Sequence, residues 1–314
     1  MSSDASSRAF LTRSAAFASI ATALLLAGLK GWAVWRTSST AMLGSLADTA
    51  LDLVASLATL VGVWIAAQPA DEDHRFGHGK AEALAAMIQV ILIVLSAGGI
   101  AFRAALRLVE GGRVEAADDG ILVSGIAILA TLALLAWQRH VIRRTGSLAI
   151  RTDNIHYQSD LFLNLAVIAA LALDQYLGLR QADPLFGLGI AAWLLWGAWR
   201  ASREAVDNLM DREWPEEKRL RFVECAARHP ELSKLHDLRT RTSGERDFAQ
   251  FHVDLPAAMT VGEAHAIIER VEEDLYREFP GIELLIHVDP EGHVDEPGNR
   301  LVEADEFDKL EEKR

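Results

Sequence analysis

Long apolar runs separated by short polar segments make up roughly the first two thirds of the chain. Residues 83–102 and 120–138 contain no charged side chain. At a rise of about 1.5 Å per residue, a helix of either length crosses a hydrocarbon core of roughly 30 Å. The pattern predicts an α-helical membrane protein in which residues 14–208 form a bundle of six transmembrane helices. The expected spans are 14–36, 41–67, 82–108, 119–139, 150–178 and 184–208.

The pattern changes after residue 208, where charged residues become frequent. Alternating and helical periodicities in residues 209–290 predict a small ferredoxin-like α+β domain with helices on one sheet. Acid-rich residues 291–314, which contain Gly and Pro, are expected to form a disordered tail. The domain's expected elements are a helix at 215–228, strands at 235–241 and 247–255, a helix at 261–278 and a strand at 282–288.

Composition and the placement of positive charge indicate how the chain sits in its membrane. The chain is 51% hydrophobic although its formal net charge is −13, because the two kinds of residue are segregated. Most Arg and Lys residues near the span ends lie on the side that holds both termini, which predicts cytoplasmic termini, including an N-terminal segment at 1–13. No cleavable signal peptide is recognised. We therefore expect a multi-pass protein of the cell (inner) membrane.

Cysteine chemistry is nearly absent from the chain. Cys225 is the single cysteine, so an intrachain disulfide is excluded and capture of soft metals by thiolates is not expected. The position of Cys225 in a helical pattern is typical of a packing residue.

Carboxylates interrupt two predicted spans at depths where lipid disfavours charge. Asp48 and Asp52 are four residues apart in the second span, and His156 and Asp160 have the same spacing in the fifth. Each pair therefore shares one helix face. Three aspartates at helix centres oppose membrane insertion by roughly 8 to 10 kcal/mol, which favours a functional role. The alternative is a set of carboxyl groups that are protonated or hydrogen-bonded within the bundle and bind no ligand.

Three carboxylates and one imidazole form a suitable tetrahedral site for a borderline ion such as Zn²⁺, whereas the imidazole argues against Mg²⁺ and Ca²⁺. Without a metal ion, this set would hold three negative charges in a medium of low dielectric constant and should take up protons. Metal binding would release those protons. The sequence therefore predicts a metal transport site whose occupancy is coupled to protons as the counter-ion.

A second set of candidate ligands follows the second span. Asp71, His74 and His78 could bind a metal ion, and an ordinary solvated loop is the alternative. Lys80 and Asp211 flank the bundle at its cytoplasmic end. We expect them to form an ion pair that fastens spans three and six.

Histidines are concentrated in the soluble domain. His252 faces away from the apolar side of its strand, which is formed by Ala249, Phe251 and Val253. Since the strands and the second helix must pack together, their metal-ligand residues predict a cytoplasmic site for one or two metal ions. The candidate ligands are His236, His252, His265, His287 and Asp289.

With these residues, the sequence closely resembles the cation diffusion facilitator family over nearly all of the chain up to Pro290. The resemblance implies a transport site at Asp48, Asp52, His156 and Asp160, a loop site and a dinuclear cytoplasmic site. It also implies a homodimer whose cytoplasmic domains meet, with Lys80 and Asp211 as a charge interlock between protomers. The matching segments are residues 45–52 (SLADTALD), 68–71 (QPAD), 76–80 (FGHGK), 156–160 (HYQSD) and 236–241 (HDLRTR).

The sequence thus predicts a proton-coupled exporter of divalent transition metals that works by alternating access. Zn²⁺ is the expected substrate and also a structural or regulatory ion, with Cd²⁺ and Fe²⁺ as further candidate substrates. The expected partners are the bilayer, divalent metal ions and a second copy of the chain, with no nucleic acid. One alternative is a membrane metal sensor. Another is an intramembrane metalloenzyme, against which the missing His-Glu-x-x-His motif argues.

Overall fold

The computed structural model describes residues 2–37, 40–110, 118–177, 181–244, 246–293 and 296–312. Contacts within the chain divide it into two compact units, Ser2–Asp207 and Asn208–Arg314. Among the described residues, the first unit consists of long helices joined by loops, and the second combines a small sheet with shorter helices.

Six long helices form the first unit within the described residues. Helix α1 packs against α2 and α4, α2 against α3, and α5 against both α3 and α4. Gly62 permits the close approach of α2 and α3, because a Cβ atom at this position would lie 2.3 Å from that of Ala85. The helices are α1 (Ser2–Thr37), α2 (Thr40–Ala66), α3 (Ala81–Glu110), α4 (Asp118–Thr145), α5 (Leu148–Leu177) and α6 (Ala182–Leu209).

Four of these helices contain stretches that are long and apolar enough to cross a membrane, judged over the described residues. These stretches are Ser7–Trp35, Thr49–Ala66, Ala81–Val109 and Gly125–Thr145. Helix α5 carries Arg151, Asp153, His156 and Asp160, which lower its hydropathy. Helices are therefore found at all six predicted positions, while membrane crossing by α5 and α6 stays a prediction.

The second unit contains the α+β domain that the sequence predicts. Strand β1 pairs antiparallel with β2, and β2 pairs parallel with β3, in the spatial order β1-β2-β3. The parallel pair requires a crossover connection, which α8 supplies. Thr260 and Glu263 form a capping box at the start of α8. The elements are α7 (Glu216–Ala226), β1 (Leu235–Ser243), β2 (Arg246–Leu255), α8 (Val261–Glu278) and β3 (Ile282–Pro290).

One hydrophobic core joins the two helices to one face of the sheet. Phe222 of α7 contacts Phe251 of β2, with ring centroids 5.4 Å apart, and Val271 and Leu275 of α8 are fully buried. The predicted apolar side of β2 is confirmed, since Ala249, Phe251 and Val253 are all buried. The opposite face of the sheet carries His252 and Asp254 of β2.

The expectation that residues 291–314 are disordered is wrong for the part of this segment that the structure describes. Helices α9 (Arg300–Glu303) and α10 (Glu306–Glu312) pack against β1, and α10 also packs against α7. Val302 and Leu310 are each 5% exposed. The sequence predicted disorder because acidic residues dominate this segment, and its composition does not reveal that these two aliphatic residues are buried.

Cys225 is 1% exposed and belongs to the domain core, as its helical pattern predicts. Burial raises the pKa of its thiol to about 11, and the nearby Glu278 carboxylate adds to this shift. The thiol is therefore protonated at neutral pH and does not supply a metal-binding thiolate.

We predict that a maleimide labels native Cys225 at pH 8 at least about 100-fold more slowly than an exposed cysteine, since the thiolate is the reactive form. The matched control is the double variant Glu224→Cys/Cys225→Ala, which moves the thiol to the adjacent exposed position. Equal labelling rates for the two native proteins would show that Cys225 is accessible.

Candidate metal sites

The first cluster of candidate ligands is formed by α2 and α5. His156 Nε2 lies 2.8 Å from Asp52 Oδ1, and the two side chains are 5% and 14% exposed, respectively. Asp160 lies one helical turn beyond His156. One ligand atom from each of the three residues falls within 4.8 Å of the others. The structure thus brings together three of the four residues predicted to form the transport site.

The fourth predicted ligand, Asp48, lies on α2 one turn before Asp52, and its side chain is outside the described part of the structure. Its participation stays a prediction. The neighbouring Thr49 is buried, and its Oγ1 accepts a hydrogen bond of 2.6 Å from Lys30 Nζ on α1. A cation from α1 therefore reaches the same turn of α2.

The second cluster lies in the loop between α2 and α3. Asp71 Oδ1 lies 3.2 Å from His74 Nδ1, and Asp71 Oδ2 lies 3.3 Å from His78 Nε2. His78 Nδ1 is 3.2 Å from the Pro69 carbonyl oxygen, which can only accept, so the ring donates there and leaves Nε2 facing Asp71. A hydrogen bond from the backbone N–H of His74 lowers the pKa of Asp71. The three predicted loop ligands therefore meet around an ionised carboxylate.

The third cluster depends on the register of the sheet. His236, His252 and His287 occupy opposed positions on β1, β2 and β3, and their rings follow one another at 5.3 and 4.6 Å. Asp289 lies two residues beyond His287 on the same face. Its Oδ2 is 2.8 Å from His252 Nδ1 and 3.5 Å from His236 Nε2, and its Oδ1 is 3.2 Å from His287 Nε2. Three of the predicted cytoplasmic ligands, all histidines, thus surround the carboxylate of a fourth, Asp289.

His265 does not join this cluster within the described residues of the chain. It lies on α8, is 71% exposed, and its Nε2 is 3.6 Å from Glu269. It lines the same cleft as Asp289. Its role as a ligand stays a prediction.

The predicted pairing of Lys80 with Asp211 also stays a prediction. Within the second unit, Arg241 donates to both carboxylate oxygens of Asp211 at 3.5 Å.

Comparison with known proteins identifies the family. A family model described as the cation efflux transmembrane domain matches residues 16–210, and one described as the cation efflux protein cytoplasmic domain matches residues 214–291. The chain belongs to the cation efflux family. Among its relatives is the cation-efflux pump FieF of Klebsiella pneumoniae subsp. pneumoniae, 42% identical over 275 residues that cover 88% of this chain and 91% of the relative.

A second relative is FieF of Cronobacter sakazakii, which is 42% identical over 280 residues, 89% of this chain and 93% of the relative. A solved structure of CzrB in its zinc form is 36% identical and covers 27% of this chain and 99% of that chain, with a TM-score of 0.25. Members of the cation efflux family are membrane-spanning transporters and not enzymes, so the metalloenzyme alternative is excluded.

The cation efflux bundle also contains a buried polar network that the sequence did not predict. Asp153 is fully buried one turn before His156. Its Oδ2 accepts hydrogen bonds from Ser19 Oγ (2.7 Å) and Gln138 Nε2 (2.8 Å), and its Oδ1 accepts from Gln89 Nε2 (2.9 Å). This carboxylate therefore links α5 to α1, α3 and α4. The signal that could have found it is the occurrence of two glutamines and an aspartate inside apolar spans.

Two further carboxylates lie beside the cytoplasmic cluster and were not predicted. Asp254 Oδ1 is 3.1 Å from His236 Nε2, and Asp237 Oδ2 is 3.8 Å from His252 Nε2. Asp254 lies two residues after His252 on the same strand, so both side chains point to the same face of the sheet. This strand periodicity could have identified Asp254 as a candidate. Asp237 occupies an irregularity in β1 and has a positive φ of 45°, which alternation does not predict.

We predict that Asp153→Ala lowers the free energy of unfolding in detergent by about 2 to 4 kcal/mol, because it removes three buried hydrogen bonds to a carboxylate at once. The matched control is Thr152→Ala, a buried neighbour whose hydroxyl donates to the Leu148 carbonyl oxygen of its own helix at 2.9 Å. The control substitution should lower the free energy of unfolding by about 1 kcal/mol or less. Similar thermal stability of the two variants would contradict the role assigned to Asp153.

Proposed function

We propose that this member of the cation efflux family exports divalent transition-metal ions from the cytoplasm in exchange for protons, with Zn²⁺ as the main substrate. The single observation that carries this proposal is the convergence of Asp52, His156 and Asp160 between two helices of the bundle. Asp48 completes the proposed set from its position one turn before Asp52.

The choice of metal rests on the chemistry of the ligands. An imidazole nitrogen beside carboxylate oxygens favours Zn²⁺, Cd²⁺ and Fe²⁺ over Mg²⁺ and Ca²⁺, which prefer oxygen ligands alone. A site of four protein ligands is compatible with tetrahedral Zn²⁺. Zn²⁺ is therefore the first substrate to test.

Proton exchange rests on the charge of the same site. Asp52 and Asp160 face His156 in a largely buried setting, where negative charges repel strongly unless a cation or protons are present. Metal ions and protons therefore compete for these groups. If the site opens alternately to the two sides of the membrane, this competition drives metal outward as protons enter.

The other two clusters are proposed to bind the same class of metal on the cytoplasmic side. The positive charge near the span ends supports this orientation. The loop cluster of Asp71, His74 and His78 would capture metal next to the bundle. The cytoplasmic cluster around Asp289 would hold metal as a structural or regulatory ion. Homodimer formation through the cytoplasmic domain is part of the proposal, supported by the match to the cation efflux cytoplasmic domain.

The competing function is a membrane metal sensor that changes conformation without moving metal. The cytoplasmic cluster fits either function, since a metal ion there would join residues of all three strands in both cases. Metal movement across sealed vesicles distinguishes the two, because a sensor predicts a zinc-dependent rearrangement without flux.

We predict that Asp52→Asn and His156→Ala each reduce Zn²⁺ flux and the opposing proton flux by about 100-fold or more in proteoliposomes with an imposed pH gradient. Loss of a residue that hydrogen-bonds to a metal ligand typically lowers metal affinity or activity 10- to 100-fold. Loss of the ligand itself should lower the flux by at least as much. Internal dyes for zinc and for pH measure both fluxes.

The matched control for this experiment is His140→Ala. His140 lies on α4, where its ring stacks on Trp137 at 5.5 Å, and it belongs to none of the three clusters found among the described residues. This variant should keep both fluxes. Coupled flux in Asp52→Asn equal to that of the unmodified protein would contradict the assignment of the transport site.

A further inference from the structure

The C-terminal segment of this chain, residues 299–312, packs beside the cytoplasmic cluster and lies beyond the part that matches the family. The cytoplasmic family model ends at residue 291. Helices α9 and α10 of the segment contact β1, the strand that carries His236. The function of this segment is therefore not explained by the family match.

Apolar contacts attach the C-terminal segment to the domain. Val302 is 5% exposed, and Leu310 is part of the same hydrophobic core as α7 and the sheet. Phe307 is half-buried against that core. In contrast, the adjacent Leu301 is 85% exposed. One face of the segment is thus buried, as expected of a docked element.

Polar contacts fix the orientation of the segment. Asp305 Oδ1 accepts hydrogen bonds from the backbone N–H groups of Leu235 (3.4 Å) and Phe307 (2.9 Å). Arg219 of α7 donates to Glu306 Oε2 at 3.1 Å, and the Glu306 side chain is only 10% exposed. Leu235 directly precedes His236, so the segment is hydrogen-bonded next to a candidate metal ligand.

The decisive contact is made by a backbone carbonyl. His236 Nδ1 lies 3.2 Å from the Val302 oxygen. Since a carbonyl oxygen only accepts, the ring carries its proton on Nδ1 and donates it to Val302. In a neutral ring, Nε2 then presents a lone pair to Asp254 Oδ1 at 3.1 Å and to Asp289 Oδ2 at 3.5 Å. Three acceptors facing one another in this way are stabilised by a cation or a proton between them.

We propose that the C-terminal segment is a positioning element of the cytoplasmic metal site, in which the Val302 carbonyl holds His236 Nε2 toward the metal position. This inference rests on the proposed metal-binding role of that site. Metal-ligating histidines typically donate their other ring N–H to such a partner, and loss of the partner weakens binding 10- to 100-fold. By reciprocity, metal binding stabilises the docked segment by the same factor.

The affinity test uses the full chain in detergent with the transport and loop clusters disabled by Asp52→Ala, His156→Ala, His74→Ala and His78→Ala. In this background, Zn²⁺ is titrated against a competing fluorescent chelator. Val302→Asp, which places a charge in the buried contact, should weaken Zn²⁺ binding 10- to 100-fold. Leu301→Asp introduces the same charge at the adjacent exposed position and should leave the affinity unchanged. Deletion of residues 299–314 should match Val302→Asp.

His236→Ala in the same background separates failure of this inference from failure of the proposed function. If His236→Ala abolishes binding while Val302→Asp and the deletion leave it unchanged, the positioning role is overturned and the metal site stands. If none of these changes affects Zn²⁺ binding, the cytoplasmic metal site itself is overturned, and the positioning role with it.

A second measurement leaves the C-terminal segment unaltered, so it does not depend on the folding of the Val302 variant. In the same background, Zn²⁺ should slow hydrogen exchange of the backbone amides of residues 300–312 by 10- to 100-fold, and His236→Ala should remove this protection. Exchange rates in this segment that do not respond to Zn²⁺, in a protein shown to bind it, would overturn the coupling.

Discussion

Electrostatic repulsion among closely spaced carboxylates and imidazole lone pairs is the constraint on which the rest of this structure depends. In the bundle, Asp52, His156 and Asp160 meet in a largely buried position, and in the cytoplasmic domain Asp289 is surrounded by three histidines. Such groups remain together at low energetic cost only if a cation or protons neutralise them. In the proposed function, this one requirement serves both the binding of metal and its exchange for protons.

Backbone geometry of different kinds produces these clusters. In α5, the four-residue spacing places His156 and Asp160 on one face, and the packing of α5 beside α2 adds Asp52. In the sheet, the register aligns one histidine from each of three strands. Asp153, one turn from His156, hydrogen-bonds to three other helices. Helix packing around the transport cluster is therefore held by polar contacts as well as by apolar ones.

Much of this arrangement could be predicted from local patterns. The spacing within α5, the alternation in β2 and the loop motif identified residues that the structure does bring together. Periodicity failed where the decisive partners are distant in sequence. The contact of Asp153 with Ser19 spans 134 positions and that of His236 with Val302 spans 66, so neither follows from spacing along one element. The burial of Val302 and Leu310 was not predicted, because acidic residues surround them in the sequence.

The central claim is that one metal ion displaces protons from the cluster of Asp52, His156 and Asp160. Calorimetric titration of Zn²⁺ in buffers of different ionisation enthalpy tests it most directly, using a protein whose loop and cytoplasmic clusters are disabled by His74→Ala, His78→Ala, His236→Ala and His252→Ala. The account predicts saturable binding with release of at least about one proton per Zn²⁺. Binding without dependence on the buffer, or no binding at all, would contradict it.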